Sequence, residues 1–392
     1  MEFLTPFFDA INNKGLLRFL ECRKRGAIFD KIEPNIFKEP TGFFIYSISI
    51  KGETRRLKME KKKVLGISFG RKMSNCDVMV KEALMECQRE GCDVAFIRAD
   101  DLEINNCTGC IACVIGMMSG RGRGYCVKHD DFDILDEAIM QSDAVILACP
   151  TYETSVTGRF KTICDRIGPS HDITFRKARY EEGKEAGVPE EQLPDARAFK
   201  KRSAALISVG GAMTEEWIAL TLPMMYEFTF PMGIDVVDTV EYYGAMACEN
   251  VAGNPEMMKR MTRVGKNIVD SINAGDEDER IKYRGDEEGT CPICHTRLIQ
   301  FSHNKKTASC LVCGNLGTFD IVDGKFTMHY TEEELNRSRL RWGGKLEHST
   351  EIKTQAQPAG TIKNLKELKQ PYADFNPGVW PVDENACGNI KK

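Results

Sequence analysis

Eight of the sixteen cysteines in this 392-residue chain fall into two quartets whose spacing suits metal. The first is C-T-G-C-I-A-C, holding Cys107, Cys110 and Cys113, with Cys126 following in Y-C-V. Two-residue gaps let three thiolates of one tight loop converge on a cube of iron and sulfide, and a fourth must arrive from nearby. The intervening V-I-G-M-M-S-G-R-G-R-G-Y is glycine-rich and can fold back. Its Arg121 and Arg123 could balance an anionic cluster or bind a negative substrate. A cluster-free loop that only shapes its surroundings fits the same residues. The second quartet, Cys291, Cys294, Cys310 and Cys313, is C-x2-C-x15-C-x2-C. Two knuckles of this kind supply four thiolates in a tetrahedron, the usual arrangement of a structural zinc ribbon. Iron fits the same geometry and would carry electrons. Four cysteines complete that site, so His295 and His303 read as surface residues.

Three further segments carry residue types suited to a flavin. The first, S-F-G-R-K-M-S-N-C-D, ends an apolar strand and opens a helix, placing Ser68, Arg71, Lys72, Ser74, Asn75 and Cys76 in one loop. Hydroxyls and backbone N–H groups at a helix N-terminus suit a monophosphate. The loop is neither a P-loop nor G-x-G-x-x-G, so the fingerprints of triphosphates and dinucleotides are absent. In the second, C-P-T-Y-E-T-S-V-T-G, Pro150 fixes the chain as it leaves the sheet. Thr151, Tyr152, Glu153 and Thr154 then present backbone N–H groups to a planar ring, and Gly158 permits close approach. The third, S-V-G-G, adds Gly210 and Gly211. His171, in G-P-S-H-D, is a candidate proton donor. Cys149 and Cys164 sit in apolar contexts and read as buried small residues.

Alternating strands and helices must position these loops. Apolar strands are expected at Val64–Ser68, Val94–Ile97, Ala144–Ala148, Ala204–Val209 and Ile234–Glu241. Helices are expected at Asp77–Glu90, Phe132–Gln141, Gly158–Ile167, Glu215–Phe228 and Pro255–Asn273. This pattern predicts a doubly wound, five-stranded parallel sheet with ligand loops at the strands' carboxyl ends. The polar stretch Gly168–Lys201 reads as a mobile lid or a helical insertion. The whole chain divides into an N-terminal extension (1–60), the α/β domain (61–274), a charged linker (275–288), the four-cysteine ribbon with a following helix (289–348) and a tail (349–392). In the extension, Phe8–Arg25 suits a helix and Phe43–Ile50 a hairpin, and Met59 looks like an alternative start. Thr331–Arg341 reads as a helix with a capping box of Thr331 and Glu334. The tail, rich in Lys, Gln, Pro and Asn, is expected to be extended or partly disordered. The linker is expected to let the ribbon fold independently.

A net charge of -4 gives no bulk attraction for nucleic acid or an anionic membrane, and no apolar run spans a bilayer. Paired C-x-x-C spacing without an export signal points to reduced thiolates in a cytoplasm.

Lys62 to about Asn273 resembles the NADPH-dependent FMN reductase branch of the flavodoxin-like fold, and within it the iron–sulfur flavoproteins of anaerobic microbes. The phosphate loop, C-T-G-C-I-A-C, P-T-Y…G…K…D-R and G-I-D-V-V…Y-Y-G carry the resemblance. It departs in a phosphate loop about one residue shorter, in Cys76 replacing a threonine, and in the longer gap before Cys126. The first ribbon knuckle, C-P-I-C-H, lacks the glycine of rubredoxin knuckles, which favours zinc over iron. The resemblance implies FMN, one [4Fe–4S] cluster per subunit, and a homodimer or homotetramer in which flavin and cluster meet across subunits. The expected function is flavin-dependent oxidoreduction, from NAD(P)H or a low-potential donor to a small acceptor such as a quinone, an aromatic or an activated alkene. A flavin takes hydride without a protein acid or base. An electron carrier serving a redox protein partner, or a redox sensor, is the alternative.

Overall fold

The computed structural model describes three N-terminal strands, β1 (Glu33–Lys38), β2 (Phe44–Ile50) and β3 (Glu53–Lys58), by their backbone. It further describes residues 61–378 apart from 121, 248, 287–288, 305, 356–360 and 376. The expected helix at Phe8–Arg25 and Arg121 lie outside the described residues. The hairpin expected near Phe43–Ile50 is part of an antiparallel meander in the order β1-β2-β3.

All five expected parallel strands form: β4 (Lys63–Ser68), β5 (Asp93–Arg98), β6 (Ala144–Pro150), β7 (Ser203–Val209) and β8 (Asp235–Tyr242). Their order is β5-β4-β6-β7-β8, the flavodoxin-like arrangement. The helices are α1 (Asn75–Arg89), α2 (Ala112–Met118), α3 (Phe132–Gln141), α4 (Gly158–His171), α5 (Ile173–Glu185), α6 (Thr221–Thr229) and α7 (Pro255–Ile272). Successive strand residues point to opposite faces, so each strand feeds two cores. Val64, Ile146, Ile207 and Val237 pack with Met79, Val80, Met261 and Val264 of α1 and α7. Leu65, Ile67, Leu147 and Leu206 pack with Leu135, Phe160, Ile163 and Phe228 of α3, α4 and α6. Gly265 lets α7 lie against α1, since a Cβ there would stand 2.3 Å from the Ala83 carbonyl oxygen.

Local signals set most boundaries. The Thr157 hydroxyl accepts from the Phe160 N–H at 3.2 Å, capping α4. Asn254 caps α7 with Pro255 next in line. The polar stretch after α4 is a helical insertion, α5 with short 3-10 turns behind it. The helix expected from Glu215 starts later, because Glu215–Trp217 forms a separate 3-10 turn before α6.

After α8 (Glu277–Ile281) comes an antiparallel ribbon of β9 (Ile299–Phe301), β10 (Ala308–Cys310), β11 (Leu316–Val322) and β12 (Lys325–His329). It is not an independent module. Its four cysteines and Val312 belong to the same apolar cluster as the α3/α4/α6 face. The charged linker is pinned as well: Arg280 pairs with Asp235 at 2.7 Å, and the Arg284 N–H donates to the Val237 carbonyl at 2.7 Å. Charge suggested a free linker, but these arginines are spent on the edge strand β8. Thr331 caps α9 (Glu332–Asn336), accepting from the Glu334 N–H at 3.2 Å. The helix stops short of Arg341 and the box stays half-made, because the Glu334 carboxylate takes the Leu316 N–H at 3.0 Å instead. The tail carries two helices, α10 (Trp342–Gln355) and α11 (Leu365–Asp374).

Candidate flavin and metal sites

The loops after β4, β6 and β7 all open at the sheet's carboxyl edge. In the first, Met73 adopts a left-handed φ of 56° and its N–H donates to the Asp77 carboxylate at 2.8 Å. Arg98 stands 3.6 Å from that carboxylate and offsets its charge. Ser74 is the N-cap of α1 but makes no cap bond, and its hydroxyl is buried without a partner. Such a group costs free energy unless something binds it. Arg71 and Lys72 are exposed beside it and form no ion pair among the described residues. A phosphate satisfies the hydroxyl and meets both cations at a helix N-terminus. Asn75 is committed elsewhere, since its side-chain oxygen accepts from the Val251 N–H at 2.9 Å. Cys76 is turned into the core rather than towards the loop's ligand face, and burial pushes its thiol well above the ordinary range. Ser68 is buried too, its hydroxyl accepting from the Gly70 N–H at 3.2 Å.

After β6, Thr151 shares a 2.8 Å hydroxyl bond with Thr221, at the start of α6. Tyr152 and Ser155 then exchange backbone bonds of 2.9 and 3.2 Å around Glu153 and Thr154. Those two residues are left-handed, at φ 46° and 69°, where glycine is the ordinary choice. Strain of this kind collects at ligand clamps. Gly158 faces open space. At the end of β7, the Ser208 hydroxyl is buried without a partner, and just beyond it the Gly210 N–H donates to the Tyr242 carbonyl at 2.8 Å. Gly211 lies under Met246, whose Cγ would be 2.8 Å from an added Cβ. Met213, Trp217 and Met246 are well exposed along this rim. The edge therefore offers an unpartnered hydroxyl beside two cations and an exposed apolar rim, which fits FMN.

The proton-donor expectation for His171 fails on position. It ends α4 at the opposite edge of the sheet and is only 2% exposed. Its Nε2 meets Asp136 at 2.8 Å and its Nδ1 meets Ser170 at 2.6 Å. Burial, then nearby Arg176, holds its pKa below the ordinary range against the pull of Asp136. It orders the α4–α5 corner.

Cys107, Cys110, Cys113 and Cys126 line one small pocket. The Gly109 N–H points at Cys107 Sγ at 3.4 Å, and left-handed Gly109 and Ile111 bend the loop around the opening. The loop is tied to α4: Arg159 donates to the Ile104 carbonyl at 3.0 Å, Thr162 to Asn106 at 2.7 Å and Arg166 to the Asn105 carbonyl at 3.0 Å. Arg166 also lines the pocket, and it pairs bidentately with Asp130 at 2.7 and 3.1 Å. Its Nε is buried without a partner. An anionic cluster in the pocket suits that cation. Arg123, expected in this role, instead donates to the Leu193 carbonyl at 2.7 Å. The sequence hid Arg166 in D-R on α4; only the fold brings it beside the cysteines.

Cys291, Cys294, Cys310 and Cys313 are buried, with all four sulfurs within 4.8 Å of one another. The closest pairs are 3.6 Å (Cys291–Cys313) and 3.5 Å (Cys294–Cys310). A tetrahedron with metal–sulfur bonds of about 2.3 Å has edges of about 3.8 Å, so one ion fits. Cys149 and Cys164 are buried as expected, burial pushing Cys149 up to about 12. His295 is no ligand; it stacks on Tyr283 at 3.7 Å.

These loops define a flavodoxin-like flavin domain carrying additional cysteine sites. Residues 63–221 match the model of the NADPH-dependent FMN reductase family. The chain is 29% identical to flavone synthase cfoJ of Aspergillus candidus over 78% of its own length and 93% of that protein. An iron–sulfur flavoprotein of Archaeoglobus fulgidus is 37% identical over 28% of this chain and 47% of that protein, so the match spans about half of that relative. A solved flavone reductase superposes with a TM-score of 0.68 at 26% identity, covering 82% of this chain and all of that one. Among the described residues no helix is long and apolar enough to cross a membrane.

Proposed function

We propose that this chain is an FMN-dependent oxidoreductase that reduces the activated carbon–carbon double bond of a flat aromatic enone. The observation that carries the reading is the partnerless Ser74 hydroxyl at the start of α1, beside Arg71 and Lys72 and across the edge from the strained Glu153–Thr154 turn. FMN, when bound, supplies a two-electron hydride. NAD(P)H or a low-potential protein restores it, and a proton from water completes the saturated product. The acceptor class is supported by the name of one relative, a flavone reductase, since a flavone carries such a conjugated bond, while the flavone synthase is named for a flavone as product. Exposed Met213, Trp217 and Met246 give the rim an apolar, deformable surface suited to a flat ring.

Cys107, Cys110, Cys113 and Cys126 would hold a [4Fe–4S] cluster, with Arg166 offsetting its charge. The pocket lies by Asp165 and Arg166, two turns of α4 or roughly 11 Å along the helix from Gly158. That placement favours a homo-oligomer in which a cluster serves a neighbouring subunit's flavin. The ribbon would hold zinc, in a cytoplasmic protein. Anaerobic purification followed by flavin, iron, sulfide and zinc analysis tests the reading. Released FMN with four irons and four sulfides beyond the ribbon metal supports it, and flavin-free protein refutes it.

A further inference from the structure

Arg297 joins two parts of the molecule that the sequence presents as separate. It follows the first knuckle of the ribbon, which fixes its backbone. The Cys291 N–H and the Thr290 hydroxyl both donate to the Thr296 carbonyl at 3.2 Å. Thr296 is buried, with its hydroxyl 3.0 Å from Cys294 Sγ. From this anchor the Arg297 guanidinium reaches out of the ribbon. It meets Glu215 at 2.7 Å, Glu241 at 2.7 Å and the Tyr243 hydroxyl at 3.2 Å.

Those partners belong to the flavin edge. Glu241 is near the end of β8, and its side chain is only 7% exposed. Glu215 opens the turn that closes the loop after β7. The far end of that loop returns tightly on its start, because a Cβ on Gly210 would lie 2.1 Å from Ile218 Cγ2. Met213 of the same loop crosses to Gly244, where an added Cβ would lie 2.9 Å from its sulfur. The loop is therefore closed at its base and tethered at its tip by a ribbon residue. An isolated surface ion pair contributes little. Here one planar guanidinium bridges two carboxylates from different elements, one of them buried, which a point charge cannot reproduce.

We propose that Arg297 is a positioning residue through which the metal-loaded ribbon fixes the loop after β7 against β8, and so sets the affinity for FMN. The proposal rests on the reading that FMN occupies the strands' carboxyl ends. With the thiolates holding metal, the knuckle presents Arg297 at one place. Without metal, the Thr296–Arg297 segment loses its anchor and the loop its tether.

The test is a cycle of four proteins: wild type and Arg297→Ala, each before and after metal removal by a strong chelator under reducing conditions. FMN affinity is read from quenching of its fluorescence, and metal content is measured alongside. Arg297→Ala should keep its ribbon metal yet bind FMN about tenfold more weakly, equivalent to roughly 1.4 kcal/mol. Stripped wild type should weaken similarly, and stripped Arg297→Ala should weaken little further. Arg297→Lys, which keeps the aliphatic stem, should fall short of wild type and serves if the alanine variant does not fold. Wild-type affinity in the metal-loaded variants overturns the proposal, as does an equal effect of stripping in wild type and Arg297→Ala. Wild type that binds no FMN at all refutes the cofactor reading itself, a distinct result visible as missing flavin absorbance.

Discussion

Asp130 is the knot that holds the cysteine loop, and removing its charge should loosen that loop selectively. Its carboxylate takes both terminal nitrogens of Arg166, the Asn105 N–H at 3.0 Å, the Asn105 side-chain amide at 3.2 Å and the Phe132 N–H at 3.1 Å. The pair is secluded, with side-chain exposures of 0% for Arg166 and 4% for Asp130. Breaking one side of a buried pair leaves an uncompensated charge and costs about 3–5 kcal/mol. Asp130→Ala should lower stability by that order in urea titration, and Asp130→Asn by somewhat less because the amide oxygen still accepts bonds. Asn105 lies two residues before the half-buried Cys107, so the freed segment should also make Cys107 react faster with a thiol reagent under native conditions. Replacing both partners, in Asp130→Leu with Arg166→Met, should recover much of the stability without recovering cluster binding. Burial alone would raise the Asp130 pKa, but Arg166 and the backbone donors outweigh it and hold the group below the usual carboxylate range. Its folded pKa is depressed, so its stabilisation is full above about pH 4 and is lost as pH falls further. A loss below about 1 kcal/mol in Asp130→Ala, with unchanged thiol reactivity, would refute this account of the loop.

Ser74→Glu should place a carboxylate where the phosphate sits, giving colourless but folded protein; retained FMN absorbance would remove that loop from the site. Lys345 is buried, its amine donating to the Arg339 carbonyl and lying 5.7 Å above the Phe230 ring. Burial holds its pKa down, from 10.5 to about 8, a difference worth roughly 3 kcal/mol. Lys345→Met should accordingly raise the thermal midpoint at neutral pH, and a lowered midpoint would show the ammonium to be stabilising. His171 has a depressed folded pKa, so the unfolded chain binds its proton first and stability should fall as pH drops below about 6.5. His171→Gln should flatten that slope while leaving flavin content unchanged.

Much of this molecule was legible because parallel strands buried on both faces are short apolar runs, and the helices between them are amphipathic. Val64–Ser68 and Ala144–Ala148 show that signal plainly, and turn chemistry marked the loops at their ends. The ribbon's cysteine quartet was legible by spacing alone. What escaped were contacts between residues far apart in sequence. Tyr226 reads as one more apolar residue of α6, yet its hydroxyl donates to the Cys294 carbonyl at 2.6 Å and helps seat the ribbon. Arg297 and Arg166 look like ordinary surface charges until the fold supplies Glu241 and Asp130. His171 was misplaced because nearness in sequence to the flavin loop ignored the length of α4, which carries it to the other edge. The tail's composition suggested an extended chain, but α10 packs against α5 and so gains a helical face.

The most direct test is anaerobic turnover of the purified, flavin-loaded protein with NAD(P)H and flavone, followed by absorbance and product mass. Bound FMN should bleach with NAD(P)H or with a low-potential donor. Its colour should then return on adding flavone, with a product carrying two more hydrogens. Flavin that is reduced but recovers only with oxygen or a carrier protein, leaving flavone and other activated alkenes intact, would contradict it.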